Sequence, residues 1–167
     1  MLKPEMEKAL NAHINAEQYS AYLYLSMATY FDSVNLPGFA NWMRIQVLEE
    51  TAHADKFIAF VGERGGRVRL APIDGPPTEW ENPLALFENV YEHECHVSDL
   101  INKLVDLARS QSDHATENFL QWFVAEQVEE ESSADEIVQQ LKLIKGEGHG
   151  LFMIDREMAT RVFTPPV

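Results

Sequence analysis

A long segment without periodicity, residues 65–81, constrains the fold more than any other feature of the chain. The segment is rich in proline and glycine, and it separates two pairs of segments with helical periodicity. A structureless connection of this length is unusual inside a compact domain and requires an explanation. About 17 extended residues span roughly 55 Å, which exceeds the length of a long helix. The segment can therefore cross the whole molecule, so that the third helix starts at the same end as the second.

Apolar residues at a helical period, together with start and stop signals, predict four long helices and one short helix. Asn82 and Asp113 are the expected N-caps of the third and fourth helices, and Gly146 is the expected stop of the fourth. The five predicted helices are Pro4 to about Val34, Pro37 to Arg64, Pro83 to about Arg109, the segment from Asp113 to about Lys145, and Leu151 to about Val162.

These elements predict an all-α fold, namely a ferritin-like four-helix bundle with one long crossover between helices 2 and 3 and a short fifth C-terminal helix. The connection between the first two helices is short, so they are expected to be antiparallel neighbours. The 167 residues suffice for one domain, 1–167, with a sizeable core, and they are too few for two comfortable ones.

Polar residues interrupt each inward stripe of apolar residues. In the first helix, apolar residues recur at Met6, Leu10, Ile14, Ala21, Leu25 and Ala28. Glu17 falls within this stripe, where the period requires a core residue. In the other three helices the interruptions are Glu50 with His53, Glu94, and Gln127 with Glu130.

The interruptions lie at the same height along the predicted helices. The first inward polar residue of each helix lies about 13 residues, or about 20 Å, after the helix start; these residues are Glu17, Glu50, Glu94 and Gln127. This is the middle of a helix about 40–45 Å long. The polar groups can therefore meet at one level of the core. The separation from Glu17 to Glu50 is 33 residues, and so is that from Glu94 to Gln127. The chain thus consists of two helical hairpins that offer matching polar groups, although only the first includes a histidine.

A buried cluster of carboxylates needs a counter-charge, because desolvating each carboxylate costs several kcal/mol and like charges repel. Arg44, Lys56 and Lys103 fall outside the inward faces by the same period, so metal cations are the natural partners. Carboxylates suit manganese, magnesium or ferric iron, and the imidazole suits iron or zinc. Glu50 and His53 match the Glu-x-x-His motif of bundle metal sites, and paired ions in a bundle favour a di-iron centre with Glu50 as a bridge.

Three further glutamates, Glu49, Glu126 and Glu129, flank the inward positions. A solvated charged face is the ordinary role of such residues. They are equally compatible with a third, looser cation site beside the pair, to which Glu130 contributes. The residues by themselves leave both interpretations open.

Composition restricts the partners and the location. The formal net charge of −14 disfavours binding to nucleic acid and to anionic membranes. No apolar run approaches the length of a membrane span, and the first residues lack the apolar stretch of a signal peptide. The single cysteine, Cys95, excludes an intramolecular disulfide framework and paired-cysteine zinc motifs. These observations predict a cytoplasmic protein with no nucleic-acid or membrane partner.

The site residues resemble those of the bacterial non-haem ferritins, and the resemblance covers essentially the whole chain. It is carried by residues 15–25 around Glu17, by residues 49–53, by Glu94 and by residues 119–130. It implies a first iron bound by Glu17, Glu50 and His53. It implies a second iron bound by Glu50, Glu94 and Glu130, with Gln127 beside it, and a third iron site at Glu49, Glu126, Glu129 and Glu130.

Tyr24 matches a tyrosine beside the di-iron centre of that family. The alternative is a core aromatic residue whose hydroxyl is satisfied. The single histidine makes the two halves of the centre unequal, so the His53 half is expected to bind iron first. The remaining histidines are expected to be surface or satisfied residues; they are His13, His93, His96, His114 and His149.

The resemblance implies a ferroxidase that stores iron in a shell of 24 subunits, with the fifth helix at the four-fold contacts. Fe(II) would be oxidised by dioxygen or peroxide, and ferric mineral would accumulate inside the shell. Haem is not expected, because Thr51 and Ala52 stand where a haem-binding bacterioferritin has a methionine, and Val97 stands in place of a second histidine. Two alternatives remain, a storage-shell subunit without its own oxidation activity and a di-iron oxidase that stores no iron.

Overall fold

Five helices make up the regular structure of residues 1–145 and 148–165, which the computed structural model describes. They are α1 (Pro4–Ser33), α2 (Pro37–Glu63), α3 (Pro83–Ser110), α4 (His114–Ile144) and α5 (Gly148–Met158). The all-α prediction is confirmed. The short helix α5 begins three residues before the predicted Leu151 and ends four residues before the predicted Val162. Among the described residues, no helix combines the length and the apolarity that crossing a membrane requires.

Local signals set the helix ends. The Asn82 side chain accepts a hydrogen bond from Ala85 N at 2.9 Å, and Asp113 caps α4 in the same way. Gly65 adopts φ +72° just after α2, a conformation that glycine reaches without steric cost. The predicted stop of α4 at Gly146 lies outside the described residues.

The long connection between α2 and α3 runs along α1. Near its start, Asn11 Nδ2 donates to Arg67 O at 3.0 Å, and near its end Ser26 Oγ donates to Pro77 O at 2.6 Å. The connection therefore follows α1 over several helical turns, in the same direction as α1. This course confirms the predicted crossover.

The apolar core forms two clusters, and the buried polar residues of the predicted centre lie between them along each long helix. The first cluster includes the end of α1, the starts of α2 and α3, and the end of α4; the second includes the opposite ends. α2 and α3 therefore run in one direction while α1 and α4 run in the other. Leu25, placed on the inward stripe by its spacing, is 44% exposed. Its neighbour Tyr24 takes the inward position, since adjacent helical residues point about 100° apart.

α5 docks on the start of α2 through a buried carboxylate. Asp155 Oδ1 accepts hydrogen bonds from Gly38 N at 2.8 Å and from Phe39 N at 3.0 Å. Asp155 therefore caps the N-terminus of α2 from a distant part of the chain, where the adjacent Leu36 has no polar side chain to do so. Asn41 extends the contact by donating to Met158 O at 3.1 Å.

Candidate metal centre

Glu17, Glu50 and His53 form one buried group at the middle of the bundle, and each is 2–3% exposed. Their placement follows from the helical period, because α1 turns Glu17 inward and α2 turns Glu50 and His53 to one face. His53 Nδ1 lies 3.5 Å from Glu50 Oε2 and 3.9 Å from Glu17 Oε2. One ligand atom from each of the three residues lies within 4.8 Å of the others, a spacing that a single ion can span.

His13 is a direct partner of this group. Its Nε2 lies 2.7 Å from Glu17 Oε1, and both side chains are buried. An ionised carboxylate only accepts hydrogen bonds, so His13 Nε2 is the donor. Among the described residues, the other Glu17 oxygen, Oε2, accepts no hydrogen bond from an N–H or hydroxyl donor.

Glu94 belongs to a separate set of contacts between α1, α3 and α4. The Tyr24 hydroxyl donates a short hydrogen bond to Glu94 Oε1, and Gln127 Nε2 donates to Glu94 Oε2 at 3.2 Å. Tyr24 is therefore both a core aromatic residue with a satisfied hydroxyl and a neighbour of a candidate ligand. Gln127 also lies 3.4 Å from Ser98 Oγ, so the amide has several partners besides any ion.

Glu130 and Glu126 reach the centre from α4. Gln46 Nε2 on α2 donates to Glu130 Oε2 at 3.0 Å. Glu126 Oε1 lies 3.9 Å from His53 Nε2. Ligand atoms of His53, Glu126 and Glu130 form a second group within 4.8 Å of one another. The two ring nitrogens of His53 thus face two different sets of carboxylates.

The other two glutamates of the predicted third site, Glu49 and Glu129, are not in this second group, although their charges add to burial in raising the pKa of Glu126 and Glu130. Glu49 Oε2 is 2.7 Å from Arg161 Nη2, and the guanidinium also lies over the Trp42 ring, 4.5 Å from its centroid. Glu129 is exposed to solvent. The structure therefore brings Glu126 and Glu130 together with His53, and it pairs Glu49 with a cation of the chain itself.

Burial dominates the ionisation of these carboxyls. Burial, followed by the charges of Glu17 and Glu94, raises the pKa of Glu50 well above its usual range. Burial is also the main cause that raises the pKa of Glu94 to about 7 and the pKa of Glu130 to about 8. Burial pushes the pKa of Glu17 in the same direction, but His13 and the other polar neighbours outweigh it and hold that pKa at about 2. Without an ion the centre holds protons, which a bound cation would displace.

The donor set fits iron as a substrate. Burial lowers the pKa of His53, so the neutral ring offers a lone pair. Of the nearby basic side chains of α2, Arg44 bonds Asp32. Lys56 lies over the Trp122 ring, close enough for its charge to add to the lowering of the pKa of His53 and to oppose the rise that burial causes in the pKa of Glu126. Several carboxylates and one imidazole, with one Glu17 oxygen that meets no N–H or hydroxyl donor among the described residues, could hold a divalent or trivalent cation of intermediate hardness.

His13 was expected to be a surface or satisfied residue, and its contact with Glu17 satisfies it. The sequence interpretation gave no role in the centre to Gln46 or Arg161. His13 and Gln46 precede Glu17 and Glu50 by one helical turn, so the same spacing could have placed both beside the centre. Arg161 follows α5 in a segment without periodicity, and no sequence signal connects it to Glu49. Among the other histidines, His93 Nε2 lies 2.8 Å from Ser20 Oγ and is satisfied as expected.

Comparisons with known proteins all point to one family. A family model described as a ferritin-like domain matches residues 7–144. The bacterial non-heme ferritin of Bacteroides fragilis is 44% identical over 161 residues, which cover 96% of this chain and 100% of that protein. The bacterial non-heme ferritin of Campylobacter jejuni is 39% identical and covers 93% of each chain.

Solved structures agree with the family model. An open pore ferritin from the archaeon Archaeoglobus fulgidus superposes with a TM-score of 0.96 and 56% identity, over 97% of this chain and 100% of that one. An engineered closed form of the same organism's ferritin superposes with a TM-score of 0.97 and 56% identity, over 98% and 100% of the two chains. The match spans the helices that carry the buried carboxylates, and the chain belongs to the ferritin family.

Proposed function

We propose that the buried centre oxidises Fe(II) to Fe(III), with dioxygen or peroxide as the electron acceptor, and that the ferric product is stored as mineral. Iron storage is the function that membership of the ferritin family gives the chain. The observation that carries the oxidation step is the group of Glu17, Glu50 and His53, whose ligand atoms lie within 4.8 Å of one another in the core. Carboxylates favour oxidation because they stabilise the higher charge of the ferric product.

In the proposed reaction, two Fe(II) ions bind per subunit. Glu17, Glu50 and His53 hold the first, and Glu50, Glu94 and Glu130 hold the second with Gln127 beside it. Two Fe(II) ions supply two electrons, which with two protons reduce one dioxygen to hydrogen peroxide. The Tyr24 hydroxyl holds Glu94 in place by donating a hydrogen bond to its Oε1. Glu49, Glu126, Glu129 and Glu130 are proposed as a weaker third iron site.

Self-association into a shell of 24 subunits completes the proposal. Large apolar side chains on the outside of the chain support it, because a stable protein rarely leaves many of them in water. They include Tyr22, Leu25, Leu48, Phe152 and Met153, which are 44–69% exposed. Native mass spectrometry tests it against 24 times the chain mass of 19.1 kDa. A monomer or dimer would favour a di-iron oxidase that stores no iron. A cytoplasmic location stays a prediction.

An anaerobic titration with Fe(II), followed by dioxygen or hydrogen peroxide, tests the oxidation step. We expect a fast phase of ferric absorbance whose amplitude saturates at two ions per subunit and which develops faster than autoxidation in the same buffer. Ferric product at the autoxidation rate would remove the oxidation claim and leave a storage subunit without its own centre.

The two halves of the centre are expected to differ in affinity. In the first half, Glu17 keeps Oε2 without an N–H or hydroxyl donor among the described residues, whereas Glu94 is bonded to Tyr24 and Gln127, and Glu130 is bonded to Gln46. His53→Ala should therefore lower the affinity for the first ion by about a hundredfold and the affinity for the second by much less. The figure is the upper end of the loss seen when a residue that orients a metal ligand is removed. Equilibrium dialysis with redox-inert Zn²⁺ measures both constants, and equal weakening of both ions would contradict the asymmetry.

Arg161 is expected to compete with a third cation. Its guanidinium neutralises Glu49, so Arg161→Gln should strengthen third-site binding by about tenfold, equivalent to roughly 1.4 kcal/mol and within the range of one charge-assisted hydrogen bond. The third Zn²⁺ per subunit in the same dialysis reports this change. Arg156→Gln is the matched control, because Arg156 is an exposed residue of α5 near Phe152. An unchanged third constant would place Glu49 outside the third site.

A further inference from the structure

His13 gives the two oxygens of Glu17 different surroundings. The imidazole lies one helical turn before Glu17 on α1, 4% exposed, with its ring centroid 4.6 Å from that of Phe57. Its Nε2 donates to Glu17 Oε1 at 2.7 Å. The packing against Phe57 and the donated hydrogen bond together hold both side chains in one arrangement.

The second oxygen of Glu17 faces only the metal group. Among the residues that the structure describes, Oε2 meets no N–H or hydroxyl donor, and it lies 3.9 Å from His53 Nδ1. Its other neighbour in the group is the Glu50 carboxyl. Without an ion, the Glu50 carboxyl also shares a hydrogen bond with Glu17, and a bound cation would displace its proton. With a cation bound, Glu17 would keep one oxygen on His13 and have Oε2 left for the ion.

We propose that His13 is a positioning residue that makes Glu17 bind the first ion through Oε2 alone. The inference rests on the proposed function, since it concerns the same centre. An oxygen already occupied by a strong donor is a poorer second ligand, so His13 disfavours chelation of the ion by both oxygens. One-oxygen binding leaves a coordination position of the first ion open for the oxidant.

Two substitutions at His13 separate the effect of its hydrogen bond from the effect of its packing. In His13→Gln, the side-chain Nε2 is the same number of bonds from Cα as the imidazole Nε2, so the amide can donate to Glu17 Oε1. In His13→Met, the side chain keeps an apolar bulk against Phe57 and loses the donor. Smaller residues are avoided, because His13 also lines a cavity of about 250 Å³ between α1 and α3 that opens to the surface.

Anaerobic titration with Co²⁺ measures two quantities, the affinity and the visible absorption, that a packing role alone would not change. His13→Met is expected to lower the affinity for the first Co²⁺ by about ten- to a hundredfold, the usual effect of removing a residue that orients a metal ligand. The visible absorption of the bound Co²⁺ should become weaker, because binding by both Glu17 oxygens raises the coordination number. His13→Gln should restore both the affinity and the spectrum to nearly wild-type values.

Controls separate the possible outcomes. His114→Gln, a substitution at an exposed position at the start of α4, should leave both readouts unchanged. Equal losses in His13→Gln and His13→Met would overturn the inference in favour of packing, and so would wild-type affinity and spectrum in His13→Met. Wild-type protein that binds no Co²⁺ would overturn the proposed function and this inference together, whereas two-ion binding unaffected by His13 would overturn the inference alone.

Discussion

Replacing Glu50 with alanine is expected to slow the oxidation of Fe(II) by about a hundredfold or more, to the rate of autoxidation. Glu50 is the only residue assigned to both halves of the proposed centre. Loss of a residue that merely supports a metal ligand costs about 10–100-fold in affinity or activity, so loss of a shared ligand should reach at least the upper end. Stopped-flow absorbance after mixing Fe(II)-loaded protein with dioxygen measures the rate.

Stability distinguishes this effect from misfolding. Burial and neighbouring carboxylates raise the pKa of Glu50, which means that its charged form is unfavourable in the ion-free core. Glu50→Ala should therefore fold and melt near the wild-type temperature. Glu63→Ala, at the exposed end of the same helix, is the matched control and should oxidise iron normally. Equal mineralisation rates for wild type and Glu50→Ala would support a storage subunit that relies on other subunits for oxidation.

Gly38→Ala is expected to cause the largest loss of stability among single-methyl changes. A Cβ at this position would stand 1.6 Å from Asp155 O, a backbone atom that cannot turn away. α5 would have to move, which breaks the two hydrogen bonds by which Asp155 caps α2. A lost cap costs up to about 2 kcal/mol and overpacking about 1–3 kcal/mol, so a total of about 3 kcal/mol is reasonable.

Thermal melting measures this effect, because about 3 kcal/mol corresponds to a shift of roughly 10 °C for a chain of this size. Gly62→Ala provides the control on the same helix, since within the described structure its Cβ would meet no atom inside 4 Å. That variant should melt at or above the wild-type temperature, because alanine favours helix more than glycine does. A melting temperature of Gly38→Ala within about 2 °C of the control would show that α5 tolerates the displacement.

The proposed ligands illustrate how far helical spacing reaches. Glu17, Glu50 and His53 were placed together from the period and from the distance to each helix start, and the structure has them in one group. That reasoning succeeds because the rise per residue is constant along a helix. The same reasoning could not decide between a third cation site and a solvated face for Glu49, since it does not identify what lies opposite. The structure places Arg161 there.

The sequence by itself determined the four long helices to within about one residue at each described end, the crossover and the level at which polar groups enter the core, whereas it placed α5 three to four residues too late. Each depends on local chemistry, namely prolines and caps at helix starts, the helical period and the reach of an extended chain. Only the tertiary structure decided the partner of each polar atom. Tyr24 and Gln127 donate hydrogen bonds to Glu94, Glu126 lies near His53, and Arg161 forms an ion pair with Glu49. The reason is that the period sets which face a residue occupies, whereas its partner depends on side-chain rotamers and on the offset between facing helices, and both are settled when the whole bundle packs.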